Sequence, residues 1–142
     1  MPRFAYVNGR YVRHADAVVH IEDRGYQFAD GVYEVIAVLG GQLVDEDPHL
    51  DRLDRSLNEV RICWPMSRAA LRLVMREVIR RNRIGDFGAL YLQVTRGTAP
   101  RNDSVWLHNS AGRPGFASSR TSNVTGTSAG SARSLGSKRS SA

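Results

Sequence analysis

The first hundred residues of this 142-residue chain carry a regular pattern of apolar and polar positions. Asn8-Gly9 lies between two short apolar and aromatic runs, which predicts a β-hairpin. The Gly-Gly pair after the run VYEVIAVL predicts a second hairpin. The segment AVVHI at residues 17–21 is a candidate for another short strand, and ALYLQVT at residues 89–95 alternates as a half-buried strand does.

Two amphipathic helices are predicted between these strands. Asp47 is a suitable N-cap and Pro48 a suitable first residue for one helix, and Ser67 is a suitable N-cap for the other. Apolar residues recur with helical spacing at Leu50, Leu53, Leu57 and Val60 in the first helix and at Leu71, Val74, Met75 and Val78 in the second. The order of elements predicts the α+β class, with a small antiparallel sheet and two helices on one of its faces.

The composition of the chain changes abruptly after residue 101. Of the 13 serines, 11 lie in residues 102–142, where neither helical nor strand periodicity is visible. This Ser-, Gly- and Arg-rich segment has too few large apolar residues to offset the entropy of ordering it. We therefore expect one domain at residues 1–101 and a disordered tail at residues 102–142. A shift of the reading frame after residue 101 would produce so abrupt a change in composition, so a frame-shifted sequence is one interpretation of the tail.

Charge, cysteine content and motifs exclude several classes of function. The net charge of +6 belongs mostly to the tail, which carries five basic residues against Asp103 alone. Nucleic-acid binding is therefore an alternative function for the tail, but the charge of the domain does not favour it. Four scattered histidines and the lack of a CxxC or HExxH motif predict no metal site. The single cysteine, Cys63, is expected to be buried and inert, and it suggests a reducing compartment. With no apolar run long enough to span a membrane, we expect a cytoplasmic protein without a membrane partner.

Candidate chemistry is confined to three stretches. The first, EDRGYQFADGVYE at residues 22–34, combines four carboxylates with three aromatic rings, and its Tyr33 could face either a pocket or the core. In the second, Arg52 near a helix start could clamp a phosphate, or it could pair with Asp51, Asp54 or Glu59. In the third, Arg96 and Arg101 flank a turn that suits either a carboxylate-binding loop or a plain charged turn.

These three stretches together resemble a known family. DRGYQFADGVYE, the helix start HLDRL and YLQVTRGTAPR, in this order and at these separations, are similar to the small domain of the class IV, fold-type IV aminotransferases that use pyridoxal 5′-phosphate (PLP). Within that family the stretch DRGYQFADGVYE favours the D-amino-acid transaminase (D-alanine aminotransferase) branch. The resemblance covers residues 1–101.

The resemblance implies roles for individual residues. Arg52 matches the arginine that binds the PLP phosphate, and Tyr33 matches the tyrosine that faces PLP and helps to receive the substrate carboxylate. Arg101 matches the arginine that helps to hold that carboxylate across a dimer interface. The implied partners are a D-amino acid, a 2-oxo acid and a second copy of the intact enzyme. The implied reaction is D-alanine plus 2-oxoglutarate to pyruvate plus D-glutamate.

Two departures from the family pattern bear on activity. The family's histidine after the PR pair is replaced by an acid, Asp103, which would repel a substrate carboxylate. The large domain with the Schiff-base lysine has no counterpart, and the only lysine of the chain is Lys138 in the tail. We therefore expect a truncated, catalytically incomplete transaminase with no catalytic residue of its own; the alternative is a non-catalytic dimerisation or binding module.

Overall fold

The structure, a computed structural model, describes residues 3–99 and the backbone of residues 124–129. The strands are β1 (Phe4–Val7), β2 (Arg10–Arg13), β3 (Gly31–Leu39), β4 (Gln42–Leu43), β5 (Phe87–Thr95) and β6 (Val124–Ala129). The helices are α1 (Arg24–Phe28), α2 (Glu46–Glu59) and α3 (Arg68–Asn82), with one turn of 3₁₀ helix at His14–Asp16. These elements confirm the predicted α+β class.

Strands β4, β3, β5 and β6 form an antiparallel sheet in that spatial order. The long pair β3 and β5 runs in register from Gly31 opposite Thr95 to Leu39 opposite Phe87. One face of this sheet packs against α2 and α3, and the shared core contains Ile36, Val38, Leu50, Leu53, Leu57, Leu71, Met75, Val78, Leu90 and Leu92. Six of the eight predicted apolar positions of the helices are buried, whereas Val60 and Val74 are half-buried against the same core.

The β1–β2 hairpin is a separate two-stranded sheet that has the predicted turn. Asn8 and Gly9 have φ values of 48° and 87°, and a type I′ turn requires positive φ at both central residues. The Asn82 side chain, at the end of α3, accepts a hydrogen bond from the Phe4 amide at 2.9 Å and donates one to the Phe4 carbonyl at 3.0 Å. This pair of bonds attaches the hairpin to the helical layer.

Several local predictions are wrong. Helix α2 begins at Glu46 with Asp45 as its N-cap in a left-handed conformation, and the Asp47 side chain pairs with Arg72 of α3 instead of capping. Residues 17–21 form no strand, and Val18 and Ile21 are exposed. Their apolar side chains have no neighbouring strand to pair with in the described part of the chain.

The segment expected to be disordered contains one described element. Residues 124–129 form β6, which pairs antiparallel with β5 from Val94 opposite Val124 to Ala89 opposite Ala129. Prediction of disorder at residues 102–142 therefore does not agree with the structure at these six positions. The rest of that segment, including Asp103 and Lys138, lies outside the described residues.

Two properties of the described residues bear on earlier expectations. Cys63 is exposed just after α2, so the expectation of a buried thiol is wrong. The apolar face of α2 ends before this position; Ile62 is buried on one side of Cys63, and Trp64 packs against the core on the other. None of the described helices is long and apolar enough to cross a membrane.

Candidate functional site

The loop before β3 is built around a buried carboxylate. Asp23 is 0% exposed, and its Oδ1 accepts hydrogen bonds from the backbone amides of Gly25 at 2.9 Å and Tyr26 at 3.3 Å. Its Oδ2 accepts a hydrogen bond from the Thr95 hydroxyl at 2.9 Å. One side chain thus caps α1 and attaches it to the end of β5, as N-cap aspartates do for orphan amides.

The glycine of this loop is required by close packing. A Cβ placed on Gly25 would lie 2.2 Å from the Thr95 Cγ2, which is far inside van der Waals contact. Thr95 is itself held by Asp23 and by the Gly97 amide, which donates to its hydroxyl at 3.1 Å. A side chain at position 25 would therefore separate the loop from β5.

Arg24 and Arg96 converge on Asp30, just before β3. Asp30 accepts from the Arg24 Nε at 2.8 Å and from the Arg96 Nε and Nη2 at 2.8 and 3.0 Å. Burial alone raises the pKa of this carboxyl, but hydrogen bonds from the two arginines outweigh burial and hold the pKa below its ordinary value. Arg96 also donates to the carbonyls of Val60 and Arg61 at 2.7 and 3.1 Å.

Arg96 therefore fastens the end of β5 to the end of α2. Four of its five N–H donors are used in these contacts with Asp30 and two carbonyls. The two arginines that flank the turn suited either a carboxylate-binding loop or a plain charged turn. The contacts of Arg96 are with the protein itself, so Arg96 fits the plain charged turn. Arg101, the other arginine, lies outside the described residues.

The face of the sheet opposite the helices carries aromatic and apolar side chains. We call it the open face; its members are Tyr33, Val35 and Leu39 of β3 and Phe87, Tyr91 and Gln93 of β5. Tyr33 is 65% exposed and stacks on Tyr91, with ring centroids 5.7 Å apart and an interplanar angle of 16°. The Tyr91 hydroxyl donates to the Gln93 Oε1 at 3.1 Å. Tyr33 thus faces the open side, not the core.

The residue next to Tyr33 points the other way and is a buried acid. Glu34 is 1% exposed, yet it lies in line with the core residues Ile36 and Val38. Its Oε1 accepts from the Arg52 Nε at 2.8 Å, and its Oε2 accepts from the Arg52 Nη2 at 2.5 Å. The His49 Nδ1 lies 2.8 Å from the same Oε2. Two cationic or polar side chains of α2 therefore satisfy this carboxylate.

The charges in this cluster support one another. Burial alone raises the pKa of the Glu34 carboxyl, but hydrogen bonds from Arg52 and His49 outweigh burial and hold the pKa below its ordinary value. Because an ionised carboxylate can only accept, the His49 Nδ1 carries the proton that it shares with Glu34. Glu34 in turn raises the pKa of Arg52 by hydrogen bonding and charge, and the Tyr33 phenol adds a smaller electrostatic contribution.

The structure thus places two of the three predicted site residues near one edge of the sheet. Tyr33 lies on the open face of the sheet and Arg52 on the helical face, and Glu34, the neighbour of Tyr33 in β3, bonds to Arg52. Arg52 pairs with Glu34 and not with Asp51, Asp54 or Glu59, the partners first considered for it. Asp51 instead pairs with Arg68, and Asp54 accepts from Trp64.

Sequence reasoning missed two members of the cluster, Glu34 and His49. A signal for each exists in the sequence. Glu34 occupies an inward position of a strand pattern, where a carboxylate needs a partner, and His49 precedes Arg52 by three residues on the same helical side. Among residues 3–99, no group of three or more His, Cys, Asp or Glu side chains could hold a metal ion.

Comparison with known proteins gives the family. A family model described as amino-transferase class IV matches residues 31–133, from the start of β3 to beyond β6. The chain belongs to the class IV aminotransferases. The family resemblance inferred from the sequence is therefore confirmed, and the match extends past residue 101, where the resemblance was expected to end.

Curated relatives of this class IV aminotransferase are longer than the 142-residue chain. The D-alanine aminotransferase of Bacillus licheniformis is 49% identical over 94 residues, which make up 66% of this chain and 33% of that protein. The chain thus spans about a third of the length of this curated relative.

Solved structures show the same fold. The Escherichia coli branched-chain amino acid aminotransferase matches with a TM-score of 0.73 at 20% identity, covering 96% of this chain and 42% of that one. The branched-chain amino acid aminotransferase of T.th., solved with pyridoxamine 5′-phosphate, matches with a TM-score of 0.69 at 16% identity, covering 90% of this chain and 40% of that one. Pyridoxamine 5′-phosphate is the amino form of PLP, so this complex agrees with PLP as the cofactor of the family.

Proposed function

We propose that this chain carries the cofactor-phosphate and substrate-facing side of a D-amino-acid transaminase site. The observation that supports the proposal most strongly is the exposed guanidinium of Arg52, which is held against buried Glu34, the neighbour of Tyr33 along β3. The 49% identity to a D-alanine aminotransferase favours the D-amino-acid branch of the family. The proposed reaction of the intact enzyme is amino transfer from D-alanine to 2-oxoglutarate, which forms pyruvate and D-glutamate.

The residues present fit the phosphate of PLP. Arg52 is 57% exposed and uses Nε and one Nη2 hydrogen on Glu34, so three of its five N–H donors remain for an anion. An arginine edge with two parallel donors is the usual partner of a phosphate. When bound, PLP supplies the electron sink that lets an amino group move between two carbon skeletons.

The other proposed roles belong to Tyr33 and Arg101. Tyr33, stacked on Tyr91, presents an oriented ring and hydroxyl on the open face, where they would contact the cofactor and orient a substrate carboxylate. Arg101 would offer its guanidinium to the same carboxylate, whereas Asp103 would weaken that attraction by its charge. These side chains would bind and orient a substrate, but none of the three is an amine that could move a proton.

We propose that the 142-residue chain does not catalyse transamination by itself. Its only lysine, Lys138, lies in a segment without a helical or strand pattern, and such chemistry needs an amine held to within about half an ångström. The test is pyruvate formation from D-alanine, 2-oxoglutarate and PLP, measured against PLP without protein. Equal rates are expected; faster turnover that Lys138→Arg abolishes would contradict the proposal.

The phosphate site is tested by ligand binding. Pyridoxamine 5′-phosphate and pyridoxamine differ only in the phosphate, and neither carries an aldehyde that could modify a lysine. In Arg52→Gln we expect affinity for the phosphorylated ligand to fall about tenfold or more, with little change for pyridoxamine. Arg55→Gln, which removes an exposed arginine of the same helix, is the matched control. If Arg52→Gln and Arg55→Gln have equal effects, Arg52 does not bind the phosphate.

A second proposal concerns the open face. Tyr33, Val35, Leu39 and Phe87 are large apolar side chains exposed together on it, which is unusual for a surface that faces only water. We propose that further protein covers this face in the working assembly, as a homodimer of the intact enzyme would require. Size-exclusion chromatography of the chain should show association that weakens in Leu39→Ser; a sharp monomeric peak at high concentration would contradict it.

A further inference from the structure

Glu34 is a buried carboxylate, and the packing of the core does not by itself explain why an acid occupies this position. It occupies an inward position of β3, where the next inward residues are Ile36 and Val38, and it is 1% exposed. Burying a carboxylate is unfavourable unless charged and polar partners satisfy both oxygens. Here both oxygens are satisfied by α2, through Arg52 and His49. An apolar residue at position 34 would fill the same space without that requirement.

The geometry of the Arg52 contact points to a reason. The Nε and Nη2 atoms, which form the side edge of the guanidinium, both donate to Glu34 at 2.8 and 2.5 Å. The end edge, made by Nη1 and the second hydrogen of Nη2, is left without a described partner on a side chain that is 57% exposed. A guanidinium is planar, so a carboxylate on the side edge fixes the direction in which the end edge points.

We propose that Glu34 is a positioning residue that holds Arg52 with its end edge directed at the cofactor phosphate. The proposal rests on the phosphate-binding role of Arg52 given under Proposed function. His49 completes the arrangement, because its bond to Oε2 fixes the rotation of the carboxylate to which Arg52 is bound. Glu34 itself does not contact the phosphate, since it lies on the far side of the guanidinium.

The negative charge of Glu34 also repels an anion, and the two effects have opposite signs. The repulsion acts across the guanidinium and beside solvent, where the exposed Arg52 side chain lets water screen it. Loss of orientation, by contrast, weakens both parallel hydrogen bonds of the end edge at once. We therefore expect removal of the Glu34 charge to weaken phosphate binding.

The first experiment uses the unaltered chain and follows the guanidinium signals of Arg52 in ¹⁵N–¹H spectra during titration with pyridoxamine 5′-phosphate. Signals of the end-edge Nη hydrogens should move, whereas the Nε–H signal should stay in place because its bond to Glu34 persists. The Nε–H signals of Arg80 and Arg81, both bonded to Glu77 at 2.7 Å, are internal references that the ligand should not affect. Collapse of the Arg52 Nε–H signal to the position of a free arginine would overturn the proposal.

The second experiment compares Glu34→Gln with Glu77→Gln. Glu77 is a matched control, since it also accepts from two arginines, Arg80 and Arg81, but lies on α3 away from the proposed site. In Glu34→Gln the preference for pyridoxamine 5′-phosphate over pyridoxamine should fall about fivefold to tenfold. In Glu77→Gln it should not change.

The outcomes separate this proposal from the one on which it depends. A preference that is unchanged or larger in Glu34→Gln, together with a loss in Arg52→Gln, refutes the positioning role and leaves Arg52 as the phosphate ligand. No response of any Arg52 signal and no effect of Arg52→Gln refute the phosphate site itself. If Glu34→Gln does not fold, the titration of the unaltered chain still decides between persistence and loss of the Glu34 bond.

Discussion

Replacing Asp23 with alanine should destabilise the domain more than its place in a surface loop suggests. The side chain is 0% exposed, accepts from two backbone amides at the start of α1 and accepts from the Thr95 hydroxyl. Loss of an N-cap costs about 1 kcal/mol. Leaving the buried Thr95 hydroxyl without its acceptor costs about 1–3 kcal/mol more. We expect Asp23→Ala to lower the free energy of unfolding by about 2–4 kcal/mol.

The isosteric variant Asp23→Asn separates the two contributions. Its amide oxygen can still cap α1, but its amide nitrogen cannot accept a hydrogen bond from the Thr95 hydroxyl, so only the Thr95 contribution of about 1–3 kcal/mol should be lost. Urea unfolding followed by far-ultraviolet circular dichroism measures both changes. At a urea dependence of about 2 kcal/mol per M, the midpoint of Asp23→Ala should fall by about 1–2 M.

Two results would refute this reasoning about Asp23. Equal losses in the alanine and asparagine variants would mean that the cap on α1 does not contribute to stability. A change of less than about 0.5 kcal/mol in Asp23→Ala, the usual range for an exposed site, would mean that the cap and the Thr95 contact add nothing. In the second case the loop before β3 would be held by its backbone and by Arg24 and Arg96.

Two further predictions concern the core and the acid cluster. Leu53→Ala, at a fully buried position of α2, should lower the free energy of unfolding by about 2–5 kcal/mol, as measured by urea unfolding. Leu73→Ala, at an exposed position of α3, is the control. A loss in Leu53→Ala no larger than the loss in Leu73→Ala would contradict the packing of α2 on the sheet. The folded-state pKa of Glu34 lies below its ordinary value of 4.5, so its stabilising effect is complete above that pH and is lost as the pH falls through the folded-state pKa. The difference in unfolding free energy between the native chain and Glu34→Gln should therefore shrink below about pH 4.5, and a difference that stays constant on acidification would contradict an ionised, paired Glu34.

The parts of the fold that the sequence predicts are those with local causes. The Asn8-Gly9 turn follows from the positive φ that a type I′ hairpin demands, and the buried faces of α2 and α3 follow from helical spacing. The start of α2 differs from the predicted one, and the predicted cap Asp47 instead pairs with Arg72, which is distant in sequence. Propensity at a helix start cannot show such a tertiary contact.

The parts that the sequence does not predict depend on contacts between distant residues. The sequence of β6 has no strand periodicity, and β6 is a strand because its backbone pairs with β5. Arg52 could be chosen from the sequence as a phosphate ligand by resemblance, but its partner Glu34 is 18 residues away on a strand. That pairing needs the sheet and α2 to be packed together first.

We propose above all that Arg52, held by Glu34, binds the phosphate of the cofactor. A crystal structure of the chain with pyridoxamine 5′-phosphate tests it most directly. It should place phosphate oxygens about 2.7–2.9 Å from the end-edge nitrogens of Arg52, while Nε stays bonded to Glu34. A phosphate bound elsewhere, or an Arg52 side chain turned away from Glu34 to reach it, would contradict the claim.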